Sequence, residues 1–144
     1  MKVYLDSSAL VAWFDPNNPH HRRVVAWRDS AEGVEFVTNR LLELECGHYF
    51  RQNRAEHAAA ARQAYTQSVA ASRFHRQKDS PLNRMRETDA ASRRQRQDVE
   101  CGFWDLCHVA AAKSGGWLFV TADRAQRGAA DLEGLETVYV GPKA

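Results

Sequence analysis

Short apolar runs alternate along this chain with longer stretches of helical period, and polar caps mark most of the joins. Val3-Tyr4-Leu5 reads as an opening strand that ends in Asp6-Ser7-Ser8, residues suited to a strand exit and a helix cap. Ala9 to Phe14 then reads as a first helix, broken by the loop Asp15-Pro16-Asn17-Asn18-Pro19. His20 to Arg28 predicts a second helix, with Val24, Val25 and Trp27 apolar among basic residues. Gly33 closes that region, and Val34-Glu35-Phe36-Val37 alternates like a second strand.

Thr38-Asn39 can cap the next helix, which carries Leu41, Leu42, Leu44 and Glu45 towards Tyr49 and Phe50. The alanine-rich stretch from Arg54 to Ser72 contains no breaker and predicts a further helix. Ser80-Pro81 starts another at Leu82, with Leu82, Met85, Ala90 and Ala91 as its apolar stripe. Phe103 to Lys113 is helical in period and is closed by Ser114-Gly115-Gly116. Trp117 to Thr121 is continuously apolar, as in a fully buried parallel strand, and Glu136 to Val140 makes a last strand. Strands alternating with helices predict an α/β fold with a mostly parallel central sheet flanked by helices. In such sheets ligands bind at the carboxyl ends of strands, where Asp6 and Asp123 both stand.

At 144 residues and 44% hydrophobic, the chain has enough material for one domain with a real core, spanning 1–144. No apolar stretch reaches the length of a signal peptide or a membrane span, so the expectation is a soluble, cytoplasmic protein. Cys46, Cys101 and Cys107 include no Cys-x-x-Cys pair, which fits reduced thiols better than disulfides or a zinc site. The formal net charge of +2 is unevenly placed. Residues 73–98 hold eight basic residues against four acidic ones, a local +4 that leaves −2 for the remainder. A basic rim beside an acidic centre suits a polyanionic partner, and a solvated helix face is the plainer reading of the same segment.

Four acids carry the candidate chemistry: Asp6, Glu45, Asp105 and Asp123. Each stands at the edge of an otherwise apolar segment or on a half-buried helix, where a carboxylate is costly unless a cation or a donor satisfies it. Together they suggest one acidic pocket holding Mg²⁺ or Mn²⁺, and metal-dependent phosphodiester hydrolysis. Singly, each has a plainer role. Asp6 can be an N-cap, Asp105 can cap its helix near Trp104, Glu45 can pair with Arg40, and Asp123 can sit in a turn.

The order and local wording of these segments resemble the PIN domain, and within it the toxin component of VapBC-type toxin–antitoxin pairs. Val3-Tyr4-Leu5-Asp6-Ser7-Ser8-Ala9-Leu10 is similar to that family's opening, and Val37-Thr38-Asn39-Arg40-Leu41 followed by Glu45 resembles its second motif. Trp104-Asp105-Leu106-Cys107-His108-Val109-Ala110 resembles the third, and Leu118-Phe119-Val120-Thr121-Ala122-Asp123-Arg124 the fourth. Glu43 also falls near the second motif, but it points roughly 200° away from Glu45 around a helix, and the count from Val37-Thr38 favours Glu45.

The resemblance implies a three-layer PIN-like fold and a Mg²⁺- or Mn²⁺-dependent ribonuclease with Asp6, Glu45, Asp105 and Asp123 around the ion. Ser8 and Thr121 would be supporting hydroxyls. It further implies cleavage of RNA by water, a homodimer, and inhibition by a cognate antitoxin protein. Arg124, with Arg84, Arg86 and Arg93 of the basic segment, could then contact RNA phosphates, although those three match no family motif.

Many relatives carry an apolar strand where residues 72–79 here hold one large apolar residue, Phe74, so at most a short edge strand is expected. His108, on a helix with Val109 and Ala112, reads as structural rather than as a general base. Trp13, Trp27, Trp104 and Trp117 read as core residues. Two other functions compete: a nuclease of the same fold in RNA maturation or on DNA, and a non-catalytic module that binds RNA or protein.

Overall fold

Five parallel strands run through the centre of the molecule in the order β3-β2-β1-β4-β5. They are β1 (Lys2–Leu5), β2 (Glu35–Thr38), β3 (Phe74–Arg76), β4 (Leu118–Thr121) and β5 (Thr137–Tyr139). Among the described residues seven helices flank them: α1 (Ser7–Phe14), α2 (His21–Ser30), α3 (Arg40–Gln52), α4 (Glu56–Ala70), α5 (Pro81–Arg94), α6 (Phe103–Gly115) and α7 (Arg124–Leu132). This computed structural model describes residues 1–53, 56–71, 74–78, 80–95 and 101–143. The outer ends of the predicted helix from Arg54 to Ser72, and Arg73, Asp79, Arg96 and Asp98 of the charged segment, lie outside the described residues.

The centre of the sheet follows from its composition. Val3, Tyr4 and Leu5 pair with Leu118, Phe119 and Val120, and most of these side chains are wholly withdrawn from water, as two-sided burial of a parallel sheet requires. Helix α1 packs on α2, α3 and α4, and α6 on α5 and α7. Towards the β3 edge the core is aromatic. Trp13 lies against Phe14, Phe36 and Phe74, while Tyr65 meets Phe14 and Phe50. β3 is the short edge strand expected around Phe74, with Phe36 opposite Phe74 in register.

Caps place the helices that matter for the site. Asp6, Asn39 and Asp123 each accept a hydrogen bond from a backbone N–H in the first turn of α1, α3 and α7. Gly116, at φ 67°, ends α6 in the left-handed conformation and turns the chain into β4.

Two expectations are corrected. Ala91 of the expected stripe is buried, but Leu82 and Met85 are more than half exposed, and α5 buries Arg84 and Thr88 in their place. Thr88 can be buried because its hydroxyl donates back to the Arg84 carbonyl at 2.7 Å and reaches Cys107 Sγ at 3.3 Å. Trp104 is not a core residue. It stands 62% exposed in the first turn of α6, touching Phe103 edge-on, whereas Trp13, Trp27 and Trp117 pack against the core. Helix α7 adds an element that apolar periodicity does not announce, because its buried residues are Gln126, Ala129 and Ala130.

Candidate active site

At the carboxyl ends of β1 and β4 the backbone turns into helices, and there the acids gather. Asp6 follows β1 directly and is fully buried, with both carboxylate oxygens taken up. Oδ1 accepts from Ser8 Oγ at 2.7 Å and from the Ala9 N–H at 2.9 Å, and Oδ2 accepts from Thr121 Oγ1. Ser8 Oγ also accepts from the Ala122 N–H at 3.2 Å, and Thr121 Oγ1 from the Asp123 N–H at 3.0 Å. The two hydroxyls thus tie the exit of β1 to the exit of β4 through one carboxylate.

Above this knot opens a cavity of about 260 Å³ lined by Ser7, Ser8, Glu45, Asp105, Asp123 and Gln126, with Val11, Asn18, His20 and Tyr49 around them. Glu45 comes from α3, Asp105 from the first turn of α6, and Asp123 from the cap of α7. Gln126 bridges the last two: its backbone N–H donates to Asp123 Oδ1 at 3.1 Å and its Nε2 to Asp105 Oδ1 at 3.2 Å. Glu43, two residues from Glu45, points elsewhere and pairs with Arg76 and Arg40.

The electrostatics record crowding. Burial pushes the Asp105 carboxyl above its ordinary value, and the negative charges of Asp123 and Glu45 push it the same way against the pull of His108. Burial likewise raises Asp6, although Thr121, Ser8 and the Ala9 N–H favour its charged form. The Cys101 thiol is pushed up to about 12, first by burial and then by the field of Asp105, Asp123 and Asp6. Glu45, by contrast with Asp6 and Asp105, ends below its ordinary value. Burial raises it, and the hydrogen bond and charge of His108 together with a hydrogen bond from Ser7 outweigh that effect.

Among the described residues no three His, Cys, Asp or Glu side chains form a ready-made metal cage. The donor set nonetheless fits a hard divalent cation. Carboxylates that repel one another surround the cavity, and among the described residues its lining includes no lysine or arginine and the buried Gln126 Oε1 accepts no hydrogen bond.

The structure thus brings Glu45, Asp105 and Asp123 to one cavity and sets Asp6, held by Ser8 and Thr121, beneath it. The four arginines do not line it. Arg84 is 9% exposed and bonded to Glu87, Arg86 and Arg93 lie exposed on α5, and Arg124 is exposed beside a separate groove with Arg127, Tyr139 and Lys143. Sequence reading passed over Gln126 and Tyr4, and it took His108 as structural. His108 is fully buried and bonds Glu45 Oε2 at 2.7 Å. Its position three residues after Asp105, one helical turn on, was the available signal.

Comparison with known proteins bears on this arrangement. The PIN domain family model matches residues 3–132. Among solved structures, PAE2754 from Pyrobaculum aerophilum is 24% identical, with a TM-score of 0.59 over 97% of this chain and 92% of that one. VapC20 from Mycobacterium tuberculosis, described as a sarcin–ricin loop cleaving toxin, is 15% identical, with a TM-score of 0.69 over 88% of this chain and 94% of that one. VapBC-1 from nontypeable Haemophilus influenzae is also 15% identical, with a TM-score of 0.66 over 97% and 98%. No curated protein matches the chain by sequence.

Proposed function

The chain belongs to the PIN domain family, and from that premise we propose that it is a metal-dependent endoribonuclease, the toxin of a toxin–antitoxin pair. The observation that carries the reading is the cavity at the carboxyl ends of β1 and β4, where Glu45, Asp105 and Asp123 stand above a fully engaged Asp6. The structural likeness to a sarcin–ricin loop cleaving toxin and to VapBC complexes supports RNA as substrate and an antitoxin as partner. Residues 1–144 act as one domain, and no helix among the described residues is long and apolar enough to cross a membrane.

In this reading Glu45, Asp105 and Asp123 hold Mg²⁺ or Mn²⁺, and Asp6, oriented by Ser8 and Thr121, completes the acidic set from below. The bound ion supplies an acidified water and neutralises charge on the phosphoryl oxygens. The chain's own residues set up that chemistry. Gln126 fixes Asp105 relative to Asp123, the Asp6 knot holds β1 against β4, and exposed Arg124, in the separate groove with Tyr139 and Lys143, offers a cation to a phosphate flanking the one cut. Arg86 and Arg93 extend a weaker positive surface along α5, as expected of contacts that position RNA without reading its sequence. Arg84 is placed to serve the fold more than the RNA.

The test is cleavage of a mixed pool of structured RNAs by the purified chain with Mg²⁺, with Mn²⁺ and with EDTA, beside Asp6→Asn. Metal-dependent cleavage that vanishes in the variant, with its fold intact, supports the reading. A folded, inhibitor-free protein that cuts nothing under any condition would falsify it in favour of a binding module.

A further inference from the structure

Beneath Glu45 runs a chain of buried hydrogen bonds whose direction the backbone dictates. Leu42 N–H can only donate, so the atom of Asn39 that receives it at 2.9 Å is Oδ1, and Asn39 Nδ2 faces the other way. That amide donates to the Tyr4 hydroxyl at 3.1 Å and to Gln77 Oε1 at 3.1 Å. Gln77 is oriented by the same logic, because its Nε2 donates at 3.1 Å to the Ala111 carbonyl, which can only accept. The Tyr4 oxygen therefore receives a hydrogen from Asn39 and gives its own to His108 Nδ1, 2.7 Å away. With Nδ1 as acceptor, the ring proton lies on Nε2, which donates to Glu45 Oε2 at 2.7 Å.

The chain begins beside the edge strand β3, crosses β2 and β1, and ends on a carboxylate of the cavity. Tyr4 and His108 are wholly buried, so neither can exchange its partner for water.

We propose that His108 is a positioning residue: anchored at Nδ1 by Tyr4, it holds Glu45 through Nε2–H in the orientation that faces the cavity and receives the cation. The proposal rests on the reading of Glu45 as a metal ligand. A ring held at both nitrogens has one allowed tautomer and one allowed plane, and a carboxylate held by it loses the freedom to turn away.

The experiment measures Mn²⁺ binding by calorimetry on the full chain, and imidazole ¹⁵N shifts by NMR for the tautomer. Both are run on the wild type and on Glu45→Gln, His108→Leu, His108→Gln and Tyr4→Phe, with melting curves to confirm folding. His108→Leu removes the donor, and its affinity falls by about 10–100-fold. His108→Gln, whose amide nitrogen reproduces the Nε2 donor, recovers most of that loss. Tyr4→Phe, nearly isosteric and safe for the fold, falls between wild type and His108→Leu. The wild-type ring shows its proton on Nε2.

Wild-type affinity in folded His108→Leu or Tyr4→Phe, no recovery in folded His108→Gln, or a proton on Nδ1 in the wild type each overturns the proposal. If the wild type binds no Mn²⁺, or Glu45→Gln binds as the wild type does, the metal reading itself falls and takes the proposal with it. The ¹⁵N shifts then still show whether the hydrogen-bond chain runs as described.

Discussion

Glu133 and the acids of the cavity are carboxylates drawn away from water, and their partners differ in kind. Glu133, almost completely buried, receives Arg94 through two guanidinium nitrogens and Lys113 at 3.4 Å. The hydrogen bond from Arg94 and the charges of both cations hold its carboxyl below the ordinary value in spite of burial. Asp6, Glu45, Asp105 and Asp123 are met instead by hydroxyls, an amide, backbone N–H groups and one imidazole. The first site is neutralised from within and is complete as structure. The second meets no lysine or arginine among the described residues, which is how an acid cluster differs from a buried ion pair and why the proposed function gives it a cation.

Making the cavity resemble the Glu133 site should break the contrast most severely. Gln126→Lys brings an ammonium to Asp105 and Asp123. It is expected to lower metal-dependent RNA cleavage on the order of 10³-fold, because a bound ion is worth several kcal/mol of barrier. The melting temperature should hold or rise, since the new charge relieves carboxylate repulsion. Cleavage assays beside a melting curve check both halves.

The reverse change acts on stability alone. Glu133→Gln should cost about 1–3 kcal/mol in denaturant unfolding, as two cations lose their shared acceptor, and leave cleavage untouched.

Acid titration should separate the two sites by sign. Asp6 and Asp105 have raised carboxyls, so the folded chain holds their protons more tightly than the unfolded chain does. Each costs stability when ionised, and the metal-free protein should recover that stability as pH falls from neutral through the raised range towards 3.8. Glu133 is lowered, so its contribution is complete above 4.5 and disappears as pH falls through its depressed folded value. Unfolding midpoints across pH should lose the Asp105 share of the first effect in Asp105→Asn and the second effect in Glu133→Gln. An unchanged profile in either variant would remove that site from the account. Least is expected of Lys113→Ala: the longer of the two Glu133 contacts should be worth no more than about 1 kcal/mol.

What was readable in the sequence divides along similar lines. The central strands and the acids at their ends were visible because a two-sided buried strand must be apolar throughout, so a carboxylate at its exit stands out. That Glu43 and Glu45 face different ways was also visible, because helix geometry separates them, but which of the two faces the cavity was not, and only the count along the resembled motif favoured Glu45. Helix α7 was hidden by the small size of Ala129 and Ala130, and the true face of α5 by a threonine that satisfies itself within its own turn. Trp104 misled because an aromatic residue in a helix favours burial only when its face is covered, and the first turn of α6 projects outward. The path from Asn39 through Tyr4 to His108 lay beyond local reading altogether, since Tyr4 and His108 are 104 residues apart and meet only across the sheet.

One tie carries a consequence for the life of the chain as it is made. Asp6 is made first of the four acids, but the Thr121 hydroxyl that orients it stands 115 residues later, and Asp123 follows in the same turn. No nascent or prematurely ended chain lacking β4 can hold the complete acidic set. The acidic set is thus a long-range property of the fold, assembled only once β1 and β4 lie side by side and a carboxylate from one strand exit meets a hydroxyl from the other.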